Sequence, residues 1–394
     1  MASAPPAPST DAPAVATVRI TINGVDLDVP KGELIVESAK RLNVEIPVFC
    51  YHPRMKPVGM CRMCLVEVAS KGPDGSVRKM PKPQAACTLP ASDGLVIETD
   101  TEAIHKDRKQ VLEFLLINHP LDCPICDRGG ECPLQNNTLF YGPSTSRFVE
   151  LKRHNKKAFP LSEHVALDLE RCIQCGRCVR FTEEISGDAQ LAFRFRGGAM
   201  QPTTFELTNF DSKFSGNTIE ICPVGALTNR HYRFRARPWD LQTSESICTG
   251  CSNGCNVWFD HRVGKYVRMN GRTNEAINEE WMCDRGKFGH DWYNDPQRLD
   301  AVLVRQGNSL VRGQWGDAYA QILNRFVEAG ESAAFLLGQT LSNESLHLAG
   351  RFAREFVGTG AIDFRFERHL PGANDAVALA QPGVSIAALE TAKS

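Results

Sequence analysis

The sequence predicts an α+β multidomain chain folded around metal-binding loops, and three observations carry that prediction. Apolar residues alternate with period two over positions 18–29 and recur at helical spacing over 101–118, the signatures of a strand pair and an amphipathic helix. Fifteen cysteines fall into four tight groups with none left over. Past residue 300 the cysteines stop and a strand signal is followed by a helix, as at the start of an α/β layer.

The bulk properties narrow the function classes. A chain of 394 residues has length for two to four domains. Its 42% apolar and 23% charged content is that of a globular protein. A formal net charge of -1 argues against a nucleic-acid binder held by bulk positive charge. No apolar run is long enough to span a bilayer, so a membrane role is expected only through partner subunits. Residues 1–17, rich in Ala, Pro, Ser and Thr, are expected to form a disordered tail. They lack the basic start and apolar core of a secretory signal, and Asp11 with no arginine before Arg19 disfavours a mitochondrial transit peptide. A bacterial-type cytoplasm is the expected compartment, and a reducing cytosol opposes disulfides.

An odd number of cysteines cannot pair off completely within one chain. The groups are Cys50/Cys61/Cys64/Cys87, Cys123/Cys126/Cys132, Cys172/Cys175/Cys178/Cys222 and Cys248/Cys251/Cys255/Cys283. His119 stands just before Cys123, with three residues between them, and completes the short group. Thiolates and imidazole bind soft or borderline metals, so the arithmetic favours four metal sites.

Residues 18–99 form the first expected domain. Val18, Ile20 and Ile22 alternate, Asn23-Gly24 supplies a tight turn, and Val25, Leu27 and Val29 alternate on the return. A short helix follows with Ile35, Ala39 and Leu42 on one face, then Cys50, Cys61, Cys64, a strand through Leu65, Val66 and Val68, Cys87 and a closing strand at Leu95-Val96-Ile97. This order resembles the β-grasp fold of plant-type ferredoxins, which hold a [2Fe–2S] cluster with four cysteines. Here ten residues separate Cys50 from Cys61. That departs from the usual C-x4-C and is similar to the version at the front of complex I and iron-hydrogenase subunits. A zinc pair in a β-grasp domain is the competing reading.

Residues 100–139 make the second module. Ile104, Val111, Leu112, Leu115 and Leu116 form an apolar stripe, with Lys106, Arg108 and Lys109 expected on the opposite side. The helix delivers His119 to a loop with two prolines and Gly129-Gly130, suited to wrapping a compact group. Spacing alone does not exclude His105, His154 or His164 as the fourth ligand. The pattern H-x3-C-x2-C-x5-C resembles the [4Fe–4S] site of the same subunits, held by one histidine and three cysteines. A ligating His119 is expected to hydrogen-bond through its other ring nitrogen.

Residues 133–165, with Lys152, Arg153, Lys156 and Lys157, read as a linker with a solvated charged face. The module at 140–240 carries Cys172, Cys175 and Cys178 at the spacing of the bacterial ferredoxin run. Thr182 replaces the usual following cysteine, and Cys222-Pro223 supplies a remote fourth thiolate for a [4Fe–4S] cluster. Phe214-Ser215-Gly216-Asn217, Cys222-Pro223-Val224-Gly225-Ala226-Leu227 and Arg233-Phe234-Arg235-Ala236-Arg237 complete a resemblance to the large iron–sulfur subunits of respiratory complex I, the NADH-quinone oxidoreductases. The resemblance runs from about Val18 to about Trp315. The arginine-rich run at 230–237 is expected to be a packed, hydrogen-bonded segment rather than a nucleic-acid patch.

Cys248, Cys251, Cys255 and Cys283, in a module at 241–297, resemble the [4Fe–4S] site at the front of molybdopterin oxidoreductases. Zinc ribbons use the same C-x2-C pairs and compete for this site. Residues 298–394 are expected to be the start of an α/β molybdopterin oxidoreductase-like domain, with a buried strand at 333–337 and a helix at 342–356. The resemblance implies a subunit cut short within that domain, and no molybdenum is expected.

The implied cofactors are one [2Fe–2S] cluster and three [4Fe–4S] clusters. The implied role is to relay electrons from NADH, through flavin on a partner subunit, towards quinone, coupled in the whole complex to proton translocation. The implied partners are other peripheral-arm subunits, including the flavin and NADH-binding one, with the membrane arm indirectly and no nucleic acid. The implied place is the cytoplasmic side of a bacterial plasma membrane. No acid–base pair, nucleophile motif, dinucleotide fingerprint or phosphate-binding loop is apparent, so no catalytic residue is assigned. The alternative is an electron-transfer subunit of an NAD-linked formate dehydrogenase or hydrogenase. Those chains begin with similar modules but usually carry two complete ferredoxin runs.

Overall fold

A computed structural model of the chain describes residues 16–72, 75–205, 208–338 and 341–363. Most of the expected tail, and the part of the last domain after Asp363, lie outside the described residues. The chain divides into two compact units, Met1–Asp240 and Leu241–Ser394. No described helix is long and apolar enough to cross a membrane.

The first unit opens with the expected hairpin. Strand β1 (Thr17–Ile22) pairs antiparallel with β2 (Val25–Pro30) across Asn23 and Gly24, whose φ of 48° and 79° suit a tight hairpin turn. The side chains of Ile20, Ile22 and Val29 are buried, whereas Val25 sits exposed on the edge strand. Helix α1 (Ile35–Lys40) packs Ile35, Val36 and Ala39 on this face. It stops before Leu42, which reaches the same core from the turn beyond, where Asn43 takes φ 57°. Strands β3 (Leu65–Lys71), β4 (Val77–Lys79), β5 (Gln84–Ala85) and β6 (Leu95–Glu98) complete a sheet of order β2-β1-β6-β3-β4, with β5 against β3. The β1–β6 pair is parallel. A hairpin and helix closed by a parallel strand is the β-grasp arrangement.

Helix α2 (Glu102–Ile117) is capped by the Thr101 hydroxyl, which accepts from the Ile104 N–H. Ile104 and Leu112 are fully buried. Arg108 is buried too, at 2% exposure, which corrects its placement on the outer face. The reason is the helical repeat itself: positions 104, 108 and 112 stack on one side. The Arg108 guanidinium lies over the Tyr141 ring and donates to the Leu65 carbonyl at 3.4 Å.

The segment expected to be a linker starts as helix α3 (Pro133–Tyr141), whose Leu134 joins the core. Strands β7 (Phe159–Pro160) and β8 (Val165–Leu167) follow. Its lysines are not all a solvated face. Lys152 donates to the Leu116 and Ile117 carbonyls, both at 2.8 Å, and so caps the end of α2. Lys157 pairs with Asp122 and with Glu170. Helix α4 (Arg177–Glu184), strands β9 (Leu191–Arg194) and β10 (Gln201–Thr204), helix α5 (Asn217–Ile221) and strand β11 (Leu227–Asn229) finish the unit. The sheet β11-β8-β7 backs a second core. In it Phe49 and Met63, which immediately precede Cys50 and Cys64, meet Leu112, Leu134, Val165, Leu167 and Leu227. Three cysteine groups are thereby mounted around one apolar centre.

The second unit begins with the antiparallel sheet of β12 (Gln242–Ile247), β13 (Asn256–Arg262) and β14 (Lys265–Gly271), followed by helix α6 (Asp284–Phe288). A hairpin, β15 (Leu303–Gln306) and β16 (Ser309–Arg312), and helix α7 (Trp315–Ala329) come next. Strand β17 (Phe335–Leu336), helix α8 (Asn343–Arg351) and strand β18 (Ile362–Asp363) form a βαβ crossover with parallel strands. The strand expected to be buried is only partly so: Ala333 is buried, but Leu336 is 66% exposed. Phe335 stacks on Phe326 of α7 and meets the edge of the Phe352 ring.

Candidate metal centres

The first group lies at the base of the β-grasp sheet, with Cys50, Cys64 and Cys87 fully buried and Cys61 partly so. Two reciprocal bonds tie its long loop together. The Cys50 N–H donates to the Cys61 sulfur and the Cys61 N–H to the Cys50 sulfur, each at 3.5 Å. Arg62 at φ 60° and Gly59 at φ 62° let the backbone double back between them. The four sulfurs lie close enough to shift one another's protonation. Cys50 is held low by bonds from Cys61 and Cys87, and Cys64 by a bond from Cys87. The donors Cys61 and Cys87 are driven up correspondingly.

In the second group, His119, Cys123, Cys126 and Cys132 line one cavity of about 520 Å³. Helix α2 delivers His119, and a single turn of tight helix at Cys123–Ile125 folds the loop. A Cβ at Gly225, on the cavity wall, would stand 2.1 Å from the Cys126 sulfur, so the wall closes only on glycine. Arg237 donates to the Cys126 carbonyl at 2.6 Å and also to the Pro124 carbonyl, and Phe234 N–H donates to Asp127 at 2.9 Å. The arginine-rich run is thus packed against this loop, as expected. His105, His154 and His164 do not line the cavity; they meet Asp100, Glu170 and His231 respectively.

Burial, reinforced by the Lys152 and Arg171 cations, pulls the His119 imidazole down to about 4, so the ring is neutral near pH 7 with a lone pair available. The hydrogen-bond partner expected for its other nitrogen is not found among the described residues. Asp122, the carboxylate that acts on the ring, is already committed: it accepts from Arg171 at 2.9 and 3.1 Å and pairs with Lys157.

The third group, Cys172, Cys175, Cys178 and Cys222, closes around a small cavity whose other walls include Ile173, Phe193, Val224 and Leu227. Left-handed backbone at Gln174 (φ 56°) and Gly176 (φ 73°) wraps the run, and Gly176 starts α4. Burial pushes Cys172 up to about 12, Cys175 up to about 11 and Cys178 well above the ordinary thiol range. Four thiols in a dry pocket suit a group that supplies its own positive charge.

In the second unit, Cys248 N–H donates to the Cys255 carbonyl at 2.8 Å, which draws the two ends of the fourth group's loop together. The Cys248 sulfur accepts from the Gly250 N–H at 3.4 Å and the Cys255 sulfur from Asn253 Nδ2 at 2.9 Å. Burial raises both thiols, and Cys251 and Cys283 lie close enough to add like-charge repulsion. A Cβ at Gly286 would come within 2.8 Å of the Cys248 sulfur.

Each predicted ligand therefore stands with the others of its own group. Among the described residues no three His, Cys, Asp or Glu side chains converge tightly enough to hold a lone metal ion. The donor sets fit larger groups: soft sulfur in three quartets, sulfur with one neutral imidazole in the other. Sequence reasoning missed the arginines around them, the buried Arg108, Arg171 and Arg180 and the half-buried Arg177. The available signal was adjacency, since Arg171 precedes Cys172 and Arg177 precedes Cys178.

Four family models match in the same order. Residues 15–102 match a 2Fe-2S iron-sulfur cluster binding domain, and 108–147 the NADH-ubiquinone oxidoreductase-G iron-sulfur binding region. Residues 162–228 match the ferredoxin-like domain of NADH-quinone oxidoreductase subunit 3, and 241–295 the molybdopterin oxidoreductase Fe4S4 domain. The G-type subunit of NADH-quinone oxidoreductase from Streptomyces coelicolor is 43% identical over 355 residues, 89% of this chain and 41% of that protein. Its counterpart from Mycobacterium bovis is 42% identical over 385 residues, 95% and 47% of the two chains. The one from Rickettsia felis is 41% identical over 355 residues, 89% and 51%. A solved NAD+-reducing [NiFe]-hydrogenase, in the H2-reduced state, is similar at 29% identity and a TM-score of 0.49, covering 56% of this chain and 91% of that one. The chain spans about half the length of the relatives it matches. With iron–sulfur modules matched along the chain and about 40% identity over most of it, the chain belongs to the family of G-type NADH-quinone oxidoreductase subunits.

Proposed function

We propose that the chain is an electron relay holding one [2Fe–2S] cluster at Cys50, Cys61, Cys64 and Cys87, and three [4Fe–4S] clusters. The three lie at His119, Cys123, Cys126 and Cys132; at Cys172, Cys175, Cys178 and Cys222; and at Cys248, Cys251, Cys255 and Cys283. The corresponding domains are 18–99, 100–139, 140–240 and 241–297, with 298–394 beginning a molybdopterin oxidoreductase-like domain. When bound, such clusters accept and release single electrons with little change of shape.

The observation that carries the reading is the mounting of the first three ligand groups around one apolar core. Electron tunnelling falls steeply with distance, so a rigid scaffold that fixes several centres close together conducts. The chain's own residues set ligand type, burial and local charge at each centre, which are the levers on reduction potential. In the assembled oxidoreductase the chain would take electrons from NADH through a flavin-bearing subunit and pass them towards quinone. It would lie on the cytoplasmic side of the membrane, with proton movement belonging to membrane partners.

Iron and acid-labile sulfide analysis of anaerobically purified protein, with low-temperature EPR, tests the reading. Iron and sulfide in equal amounts, with signals of both cluster types, are expected. Zinc in place of iron would overturn it.

A further inference from the structure

Helix α4 carries Arg177 and Arg180 three residues apart and so on one face. Both reach into the loop of the first group. Arg180, 8% exposed, donates to the Lys56 carbonyl at 2.7 Å and to the Cys50 carbonyl. Arg177 spans two groups: it donates to the Tyr51 carbonyl, beside Cys50, and at 3.1 Å to the Ile221 carbonyl, beside Cys222.

Neither guanidinium forms an ion pair among the described residues; their acceptors are neutral carbonyls. Arg171 is the contrast, held between Asp122 and Asp168. A guanidinium remains charged when buried, and a buried charge without a counter-charge is unfavourable. The buried Nε of Arg177 also lacks a hydrogen-bond partner. Arg177 lines the cavity of Cys172, Cys175, Cys178 and Cys222, and the ligand sulfurs close enough to act on its charge are those of Cys175 and Cys222, then of Cys50 and Cys61.

We infer that Arg177 is the shared counter-ion of the first and third centres, its fixed charge favouring an added electron on either while its two carbonyl bonds hold their loops in register. Arg180 serves the first centre alone. The inference rests on the cluster assignment proposed above. An electron arriving at either centre adds one negative charge, and Arg177 attracts it in both places.

Redox titration of the full chain, followed by EPR of the [2Fe–2S] and [4Fe–4S] signals separately, tests this. Arg177→Gln is expected to lower both midpoint potentials by the equivalent of roughly tenfold in the reduced-to-oxidised ratio, about 59 mV for a one-electron couple. Arg177→Lys, which keeps the charge, stays near the parent values. Arg180→Gln lowers the [2Fe–2S] potential only. Two unmoved potentials in Arg177→Gln, or a shift of one alone, overturn the inference and leave the cluster assignment standing. If glutamine costs the protein a centre, the lysine variant decides: potentials near the parent support the shared charge, and a tenfold fall refutes it. Absence of either signal from the unmodified chain overturns assignment and inference together.

Discussion

The second and third ligand groups share one core and solve opposite electrostatic problems. The second sits in an open cavity edged by a charged network, with Asp122 between Arg171 and Lys157 and a neutral His119 as its fourth donor. The third is a closed apolar pocket of four thiols, whose nearest cation bonds only to carbonyls. One site balances its charges within the protein; the other leaves the balance to whatever it binds. The difference predicts that the second site keeps its shape when empty better than the third.

Removing a ligand should separate the two most sharply. Cys222→Ala is expected to abolish the ferredoxin-type [4Fe–4S] signal and its iron while the histidine-ligated centre survives, read by EPR and metal analysis. Loss of both signals would mean that the sites assemble as one. Next in size is Arg171→Gln. It leaves Asp122 with Lys157 alone and strips the ion-pair partner from the 3% exposed Asp168, and breaking a buried pair in this way costs about 3–5 kcal/mol. Denaturant unfolding should report the loss, and a change below about 1 kcal/mol would show the network to be dispensable.

Gly225→Ala is a smaller perturbation aimed at the second site. Its Cβ would overlap the Cys126 sulfur, and overpacking of this kind costs about 1–3 kcal/mol. The variant should bind less iron at the histidine-ligated centre; full occupancy with unchanged stability would refute the close approach. The subtlest test is His119→Cys. A thiolate in place of neutral imidazole makes the centre more negative, so its midpoint potential should fall with the fold unchanged. A potential equal to or above the parent's would remove histidine as the cause of any difference between the two centres.

The cysteine accounting made the ligand groups legible, because spacing of reactive side chains survives in one dimension. The hairpin at Asn23-Gly24 and helix α2 were legible for the same reason, since both depend on short-range repeats. Arg108 was misread because charged residues default to the surface, although the repeat that placed Ile104 and Leu112 inside includes it. Lys152 was misread as solvated because its acceptors, at the end of α2, lie about 35 residues away, whereas Lys157 stays exposed while pairing with the equally distant Asp122. The crossing bonds of Arg177 and Arg180 leave still less trace. A carbonyl belongs to every residue, so no sequence pattern marks the ones they choose.

One short segment has a consequence for how such a chain can change. Cys222 lines the third cavity, the Pro223 carbonyl lies 3.8 Å from the Cys132 sulfur, and Gly225 walls the second cavity. Four consecutive positions therefore answer to two sites at once. An insertion or deletion there cannot be absorbed by one site alone, and a replacement acceptable to one still has to satisfy the other. The two sites are bound to vary together, as a single heritable unit.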